Sequence, residues 1–495
     1  MSGVSNCLYV RNGQFDGQEG SNAAQLAQIF AAYKASGRTK LVLYFHGGLV
    51  DRTSAMQAAA LLTPAYEAAN AFPVFIIWET GWAEVIDQNL PKIFGEGIFQ
   101  RLVARVSQFV KGKLSKANET GATKDAGDLP LDKLQDIEKE LKSSGVDGAL
   151  FSELDLAALQ PSDELTDTEA AQIRAQIEKD LRLQQHVEEI SNGRDEDPST
   201  GTATRAATGT ESTTTLMDPE IVDEIAPSQE GKRGLISMVM LGKHVVAITA
   251  SVIKRLSHKR DHGVYLTVVE EIMRELYVRA AGKFFWDHMK QSVESAFDAG
   301  DATVGRALIK ELQTLNGAGQ TTLIGHSAGS IFVCHLLKAM DDAKLPADAT
   351  ANVVLIAPAC TFDLLERTLT YSGGRVAGLR IFGMSDPLER KDAIANVAYP
   401  ASLLYFVSGV LEGDADTPLA GMQRFYGPPF DASDFPSIQA ARKFGLMTRT
   451  HASIWAPSSG GDGVSCDMTS HGGWAATALT LASVQHIIRE GYGDA

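Results

Sequence analysis

The chain has 495 residues, of which 44% are hydrophobic and 21% are charged, and this composition supports a substantial buried core. The length allows two or three domain-sized units, or one large domain that carries a big insertion. The 45 basic and 61 acidic residues give a formal net charge of -16, which argues against nucleic-acid binding as the main function. The four cysteines lack metal-ligand spacing and the N-terminus lacks a secretory signal, so we expect buried thiols and a cytoplasmic protein.

The N-terminal part of the chain predicts the start of a parallel α/β sheet. Residues 7–10 could form an edge strand, and residues 22–35 have the apolar spacing of a helix. The runs KLVLYF at residues 40–45 and PVFIIW at residues 73–78 are apolar and β-prone, with the helical pattern of residues 53–69 between them. Strand, helix and strand at this spacing predict a parallel crossover unit.

The alternation of strands and helices then stops until residue 321, so the long interval must have structure of its own. Residues 84–114 have an amphipathic helical pattern. A second helix is predicted over residues 167–187, because the capping-box pair Thr166 and Glu169 marks its start. Residues 192–215 are rich in Thr, Gly, Ala and Ser and predict a disordered surface loop.

Residues 235–253 form the most hydrophobic window of the sequence. Lys243 and His244 lie at its centre, and a lysine at the centre of a membrane span costs about 2.5 to 3.5 kcal/mol. The window therefore predicts a buried or interface-facing helix of an inserted cap rather than a membrane span. Contact with a membrane surface stays open. Residues 270–297 predict a further helix pair.

The alternation returns in the C-terminal part of the chain. Strands are predicted at residues 321–324, 352–357, 379–384 and 449–456, and helices at residues 331–337, 392–411 and 474–489. Pro400 interrupts the 392–411 segment, and residues 402–407 within it also fit a strand. We therefore divide the chain into a first core part (1–82), a mainly helical insertion (83–318) and a second core part (319–495).

The clearest chemical signal is the segment TTLIGHSAGSIF at residues 321–332. G-x-S-x-G around Ser327 is the pattern of a nucleophile elbow, in which a strained strand-to-helix turn exposes a serine hydroxyl. Glycine is expected at positions 325 and 329 because larger side chains there would hold the strand and the helix apart. The predicted strand before Ser327 and the predicted helix after it favour a nucleophilic serine.

A nucleophilic serine needs a base to accept its proton and a third group to orient that base. His471, in a glycine-flanked loop after the last predicted strand, is the expected base, and Asp386, in the turn after an earlier strand, is the expected acid. The chain order Ser327, Asp386, His471 puts all three at carboxyl ends of parallel strands. Other acids stay open for this role: Asp363, Glu412, Asp414 and Asp416.

The oxyanion that forms during acyl transfer must be stabilised by backbone N–H groups. The sequence HGGL directly after a predicted strand indicates one such donor in the Gly48–Leu49 region. Ala328, which follows the nucleophile, is the expected second donor. Three neighbouring residues are expected to contact the substrate: His46, Gly47 and His326.

The HGG loop, the GHSAG elbow, the later acid and the C-terminal histidine together resemble the α/β-hydrolase superfamily. The resemblance covers residues 7–81 and 321–489. It implies a mostly parallel sheet of about eight strands flanked by helices, and a two-step acyl-enzyme mechanism. It also implies a serine carboxylesterase or lipase that acts on a small-molecule or lipid ester. No metal cluster or cofactor motif is visible, so no cofactor is expected.

Two other functions stay open. The same triad could serve an amidase, a peptidase or an acyltransferase, because the apparatus stabilises any tetrahedral oxyanion. The chain could instead be a binding or scaffold protein on a hydrolase fold, with its insertion covering the site. The insertion enters between the fourth and fifth core strands, earlier than the caps of most family members. Its apolar window, residues 235–253, motivates the hypothesis of a hydrophobic roof that favours acyl esters or lipids.

Overall fold

An eight-stranded sheet lies at the centre of the computed structural model. The structure describes residues 6–48, 52–78, 83–118, 163–195, 215–227, 235–298, 303–315, 320–394, 399–430, 436–443 and 451–492. The strands of the sheet are β1 Cys7–Arg11, β2 Gln14–Phe15, β3 Lys40–Phe45, β4 Ala71–Trp78, β5 Gln320–His326, β6 Ala351–Ile356, β7 Val376–Met384 and β8 His451–Ala456. Their order is β2-β1-β4-β3-β5-β6-β7-β8, and only the β1–β2 pair is antiparallel.

Helices flank this sheet and fill the insertion. In the first core part and the insertion they are α1 Ala23–Ala35, α2 Arg52–Ala68, α3 Ala83–Gly95, α4 Gly97–Asn118, α5 Asp167–Glu178, α6 Leu181–Asp195, α7 Pro219–Ile225, α8 Leu235–Ser257, α9 Val264–Leu276, α10 Lys283–Ser295 and α11 Val304–Gln313. In the second core part they are α12 Gly329–Asp342, α13 Phe362–Ser372, α14 Asp386–Glu389, α15 Leu403–Phe406, α16 Pro436–Lys443 and α17 Ala478–Glu490. The predicted α/β fold with a helical insertion is confirmed.

The inner strands form because their sequences suit burial on both faces of a parallel sheet. Every residue of β4 and β6 is buried, as are all but the first residues of β3 and β5. Such strands lack a polar face and appear as continuous apolar runs, which is why they could be predicted. The carboxyl ends of β3, β5, β6, β7 and β8 meet at one edge of the sheet, where the candidate residues lie.

Residues 7–10 form a strand, as predicted, but this strand is not at the edge of the sheet. β1 pairs with β4 on one side and with the short β2 on the other, so β2 is the edge. Asn12 and Gly13 join the two strands with φ values of 50° and 73°. Asn-Gly with two positive φ values is a typical two-residue hairpin turn, so the signal was present in the sequence.

The described elements between β4 and β5 are all helices, but two predicted helices are divided. Residues 84–114 break between α3 and α4 at the sequence Gly95-Glu96-Gly97. Residues 167–187 break at Asp180, because its side chain accepts the Leu183 N–H at 3.2 Å and so starts a new helix. The predicted capping box of Thr166 and Glu169 is present. Most of the 192–215 loop lies outside the described residues.

The apolar window of the insertion is helix α8, which packs against α4, α5, α7 and α9. Over the described part of the chain, one helix is long and apolar enough to cross a membrane by length and composition, from Ile236 to Ser257, and 50% of that window is buried. Its described packing partners belong to the insertion itself. The roof hypothesis for this helix stays a prediction.

The described residues in the first half of the predicted 392–411 helix, 392–394 and 399–402, are not helical, and the alternative strand over residues 402–407 is wrong. A helix runs from Leu403 and continues as a π-helical turn to Leu411. Pro400 has no N–H for a helix and disfavours helical geometry in the residue before it. The Ser402 side chain then caps the new helix by accepting the Tyr405 N–H.

Candidate functional site

The turn after β5 holds Ser327 in strained backbone geometry. Ser327 has φ +50°, a region that residues other than glycine seldom occupy. Strand β5 ends at the residue before it, and α12 begins two residues after it. A serine with positive φ between a buried strand and a buried helix has the geometry of a nucleophile elbow.

The two glycines of the elbow allow the strand, the turn and the helix to pack closely. A Cβ on Gly325 would lie 2.8 Å from Ser330 Cα, and a Cβ on Gly329 would overlap the carbonyl oxygen of Phe45. Gly47 approaches the nucleophile in the same way, because a Cβ there would lie 3.1 Å from Ser327 Cβ. The HGG loop after β3 therefore lies directly against the candidate nucleophile.

The turn after β6 supports the elbow through hydrogen bonds. The Ser327 N–H donates to the Ile356 carbonyl at 2.8 Å, and the Ser327 carbonyl accepts the Ala359 N–H at 3.0 Å. The Ser330 hydroxyl donates to the same Ser327 carbonyl at 2.6 Å and accepts the Cys360 N–H at 3.0 Å. These bonds hold Ser327 in its unfavourable conformation.

The predicted oxyanion donors lie on both sides of Ser327. Ala328 is fully buried at the start of α12, and within the described part of the chain its N–H has no hydrogen-bond acceptor. Gly48 is buried in the HGG loop. Leu49 lies outside the described residues. A buried N–H of this kind, next to the candidate nucleophile, is the type of donor that an oxyanion would need.

His46 and His326 are buried beside the elbow, and both make hydrogen bonds within the protein. His46 Nε2 accepts the Trp78 N–H at 3.0 Å, so Nδ1 carries the proton and donates to the Gly47 carbonyl at 2.6 Å. Burial lowers the pKa of His46 to about 4, and it lowers the pKa of His326 to about 4 as well. Both rings are therefore neutral at pH 7. Because both His46 nitrogens have partners, this ring positions the HGG loop.

His471 lies beside His326, the residue before Ser327, but neither of its ring nitrogens bonds the Ser327 hydroxyl among the described contacts. The rings of His326 and His471 are 5.4 Å apart between centroids, and His326 Nε2 donates to the His471 carbonyl at 3.0 Å. Burial, followed by the proximity of His326, lowers the pKa of His471 to about 3. Its two ring nitrogens are buried and have no hydrogen-bond partner in the described ranges. The His471 imidazole is therefore neutral at pH 7, and burial makes it a weaker base than an exposed histidine.

The carboxylate of Asp386 is bound by groups other than His471. It accepts hydrogen bonds from the Tyr405 hydroxyl and from Arg390 Nε, the latter at 2.9 Å. Burial opposes its ionisation, but the Arg390 charge and the Tyr405 hydroxyl outweigh burial and lower its pKa. The structure thus places Asp386 after β7, as predicted, but gives it no hydrogen bond to His471 among the described contacts.

The other acids considered for the site are also engaged or distant. Asp363 is exposed on α13 and pairs with Arg367 at 3.1 Å. Asp416 is fully buried and binds His262 Nε2 at 2.8 Å. Glu412 accepts the Trp286 Nε1–H, and Asp414 is exposed.

Two carboxyl groups that we did not predict follow β7, and one of them contacts His471. Asp392 Oδ2 accepts the His471 backbone N–H at 2.7 Å. Glu389, one turn earlier, is fully buried, and burial raises its pKa to about 8. The nearby Ser402 side chain lowers the pKa of Glu389, but by less than burial raises it. Neither carboxyl oxygen of Glu389 has a hydrogen-bond partner in the described ranges. Both residues follow β7 in the chain, within a few residues of the predicted acid Asp386.

The arrangement combines a strained serine, a neighbouring N–H with no acceptor among the described residues, and a neutral imidazole at one edge of a parallel sheet. Among the residues that the structure describes, no group of three or more His, Cys, Asp or Glu side chains could hold a metal ion. The architecture is compatible with an α/β-hydrolase-like fold. In comparisons with known proteins, no family model, curated protein or solved structure matches this chain.

Proposed function

We propose that this protein is a serine hydrolase of the α/β-hydrolase type that cleaves carboxylic esters through an acyl-enzyme intermediate. The observation that carries the proposal is Ser327 at φ +50° between a buried strand and a buried helix, with Gly329 packed against Phe45. Strain of this kind costs about 1 to 3 kcal/mol and concentrates at functional sites. Lys259 and Lys344 have similar φ values in exposed turns, so what distinguishes Ser327 is its place between a buried strand and a buried helix.

In the proposed reaction, the Ser327 hydroxyl attacks the acyl carbon while His471 accepts its proton. The Ala328 N–H, together with an N–H of the HGG loop at Gly48 or Leu49, stabilises the negative charge on the substrate oxygen. His471 then gives the proton to the leaving alcohol. A water molecule releases the acyl group by the same steps in reverse order.

The site favours an uncharged acyl group. The described rings around the elbow are neutral histidines together with Trp474, whose ring centroid lies 6.2 Å from that of His326. Neutral and aromatic surroundings suit apolar acyl chains, so an acyl or lipid ester is the substrate class we propose. Hydrolysis rates across esters of increasing acyl length test this class, and a strict preference for acetyl esters contradicts it.

A fluorophosphonate probe tests the nucleophile directly. We expect the probe to label the wild-type protein and not Ser327→Ala, because only an activated serine attacks the phosphorus. Ser257→Ala is the matched control: this buried serine lies at the end of α8 in the insertion, where its hydroxyl donates to the Lys254 carbonyl at 3.1 Å, and its variant should still be labelled. If wild type is not labelled, the chain is better explained as a binding or scaffold protein on the same fold.

A further inference from the structure

Side chains from two other elements bind the main chain of His471. Its N–H donates to Asp392 Oδ2 at 2.7 Å, and its carbonyl oxygen accepts from His326 Nε2 at 3.0 Å. Asp392 lies in the turn after β7, and His326 is the last residue of β5. The candidate base is therefore held at both of its backbone polar groups, and one of the two partners is the residue before Ser327.

The ring of His471 is held differently. It is 7% exposed, and neither ring nitrogen has a hydrogen-bond partner in the described ranges. The predicted acids are bound elsewhere, Asp386 by Tyr405 and Arg390, and Asp416 by His262. Its orientation must then come from its main chain and from packing against the His326 ring.

We propose that Asp392 and His326 position His471 through its main chain, and that His471 acts on Ser327 without a carboxylate bound to its ring. The inference rests on the proposed function, because His471 is a base only if Ser327 is the nucleophile. Asp392 and His326 act in this arrangement as positioning residues. The Ser327 proton moves to His471 and on to the leaving alcohol, so Asp392 keeps its charge throughout.

Paired substitutions separate this arrangement from a catalytic triad. Asparagine at position 392 keeps an oxygen that accepts the His471 N–H but loses the charge, whereas alanine removes both. Glutamine at position 326 keeps an N–H donor near the position of Nε2, whereas phenylalanine keeps only the ring. His335→Gln, on the following helix, is the control for a half-buried histidine whose ring is not part of the site.

We expect Asp392→Ala and His326→Phe to lower kcat about 100-fold, because misplacing a reacting group by an ångström costs about that much. Asp392→Asn and His326→Gln should recover most of the loss, and Asp392→Asn should leave the acid limb of the kcat/KM profile unmoved. A triad acid behaves differently, since its change to asparagine lowers kcat by about 10,000-fold. An Asp392→Asn enzyme as inactive as Asp392→Ala would overturn the proposal.

Diethyl pyrocarbonate supplies a measurement that does not depend on hydrolysis, because it acylates accessible imidazole rings. Mass spectrometry should find His471 protected in wild type, Asp392→Asn and His326→Gln, and modified in Asp392→Ala and His326→Phe. Equal protection of His471 in all five proteins contradicts the positioning role, even if Ser327 reacts with the fluorophosphonate. Absence of that reaction in wild type contradicts the proposed function, while the protection pattern still tests how His471 is held.

Discussion

Ser327 occupies its strained conformation because the surrounding residues leave it no other. Its N–H and carbonyl are bound to Ile356 and Ala359, in the turn after β6. Gly329 lets α12 approach β3 so closely that its missing side chain would meet the Phe45 carbonyl. The reactivity we propose for Ser327 therefore depends on residues that never touch a substrate.

Gly329→Ala tests this dependence. The added methyl group has to displace main-chain atoms of β3, and overpacking of this kind costs about 1 to 3 kcal/mol. We expect a lower free energy of unfolding in urea and slower fluorophosphonate labelling of Ser327. Gly374→Ala is the matched control, because no atom lies within 4 Å of a Cβ at that position. Equal stability and labelling of the two variants would show that the close approach is not needed.

At the scale of elements, a buried charged cluster joins the insertion to the second core part. His262, between α8 and α9, bonds Glu270 at 2.7 Å and Asp416 at 2.8 Å. Arg255 binds Glu270 at 2.7 Å, and Arg424 lies 3.5 Å from Asp416. Burial alone would raise the pKa of Glu270, but His262 and Arg255 outweigh it and lower the pKa to about 2.

Removing one partner from this cluster should be costly. Asp416→Ala leaves His262 and Arg424 without their shared carboxylate, and breaking a buried ion pair in this way costs about 3 to 5 kcal/mol. Asp414→Ala, an exposed carboxylate two residues earlier, should change stability by less than about 0.5 kcal/mol. Urea unfolding measures both variants. A loss of stability in Asp416→Ala no larger than in the control would mean that the cluster does not fasten the insertion.

The elements differ in how well the sequence could predict them. Buried parallel strands and the elbow sequence could be predicted, because burial on both faces of a sheet requires a continuous apolar run and the tight turn requires the glycines of G-x-S-x-G. The hairpin at Asn12-Gly13 was also recorded in the sequence and was missed. Contacts between distant segments leave no local pattern. The pairing of Asp416 with His262 and the bond from His471 to Asp392 depend on how loops from different strands meet, so only the structure reveals them.

Across the whole molecule, several titratable groups are buried in their neutral forms. They make the free energy of unfolding largest at an intermediate pH. Burial lowers the pKa of His46 and His326 to about 4 and that of His471 to about 3, from an ordinary value of 6.5. The unfolded chain binds these protons first, so the three histidines reduce stability as pH falls below 6.5. Glu389, with its pKa raised from 4.5 to about 8, reduces stability as pH rises between those values.

These opposing contributions predict greatest stability near pH 6.5. Below that value the three histidines outweigh Glu389 and also His244, whose pKa is raised by Glu275. Thermal unfolding from pH 4.5 to 8.5 should show a maximum in Tm, with a decline on both sides. Glu389→Gln should remove most of the decline above pH 6.5 and make the decline below pH 6.5 steeper, because Glu389 opposes the histidines there. A Tm that keeps rising to pH 8.5 in wild type contradicts this account.

The parallel pairing of β3 with β5 sets a condition on how the molecule can fold. Residue 40 pairs with residue 320, so the two halves of the sheet are separated by the entire insertion along the chain. During synthesis, β3 emerges long before its partner and its edge stays unpaired in the meantime. Loop closure over such a span is slow, and unpaired apolar strands associate with other chains. The helices of the insertion, formed largely from local contacts, can fold first and shorten the distance that β5 has to cover.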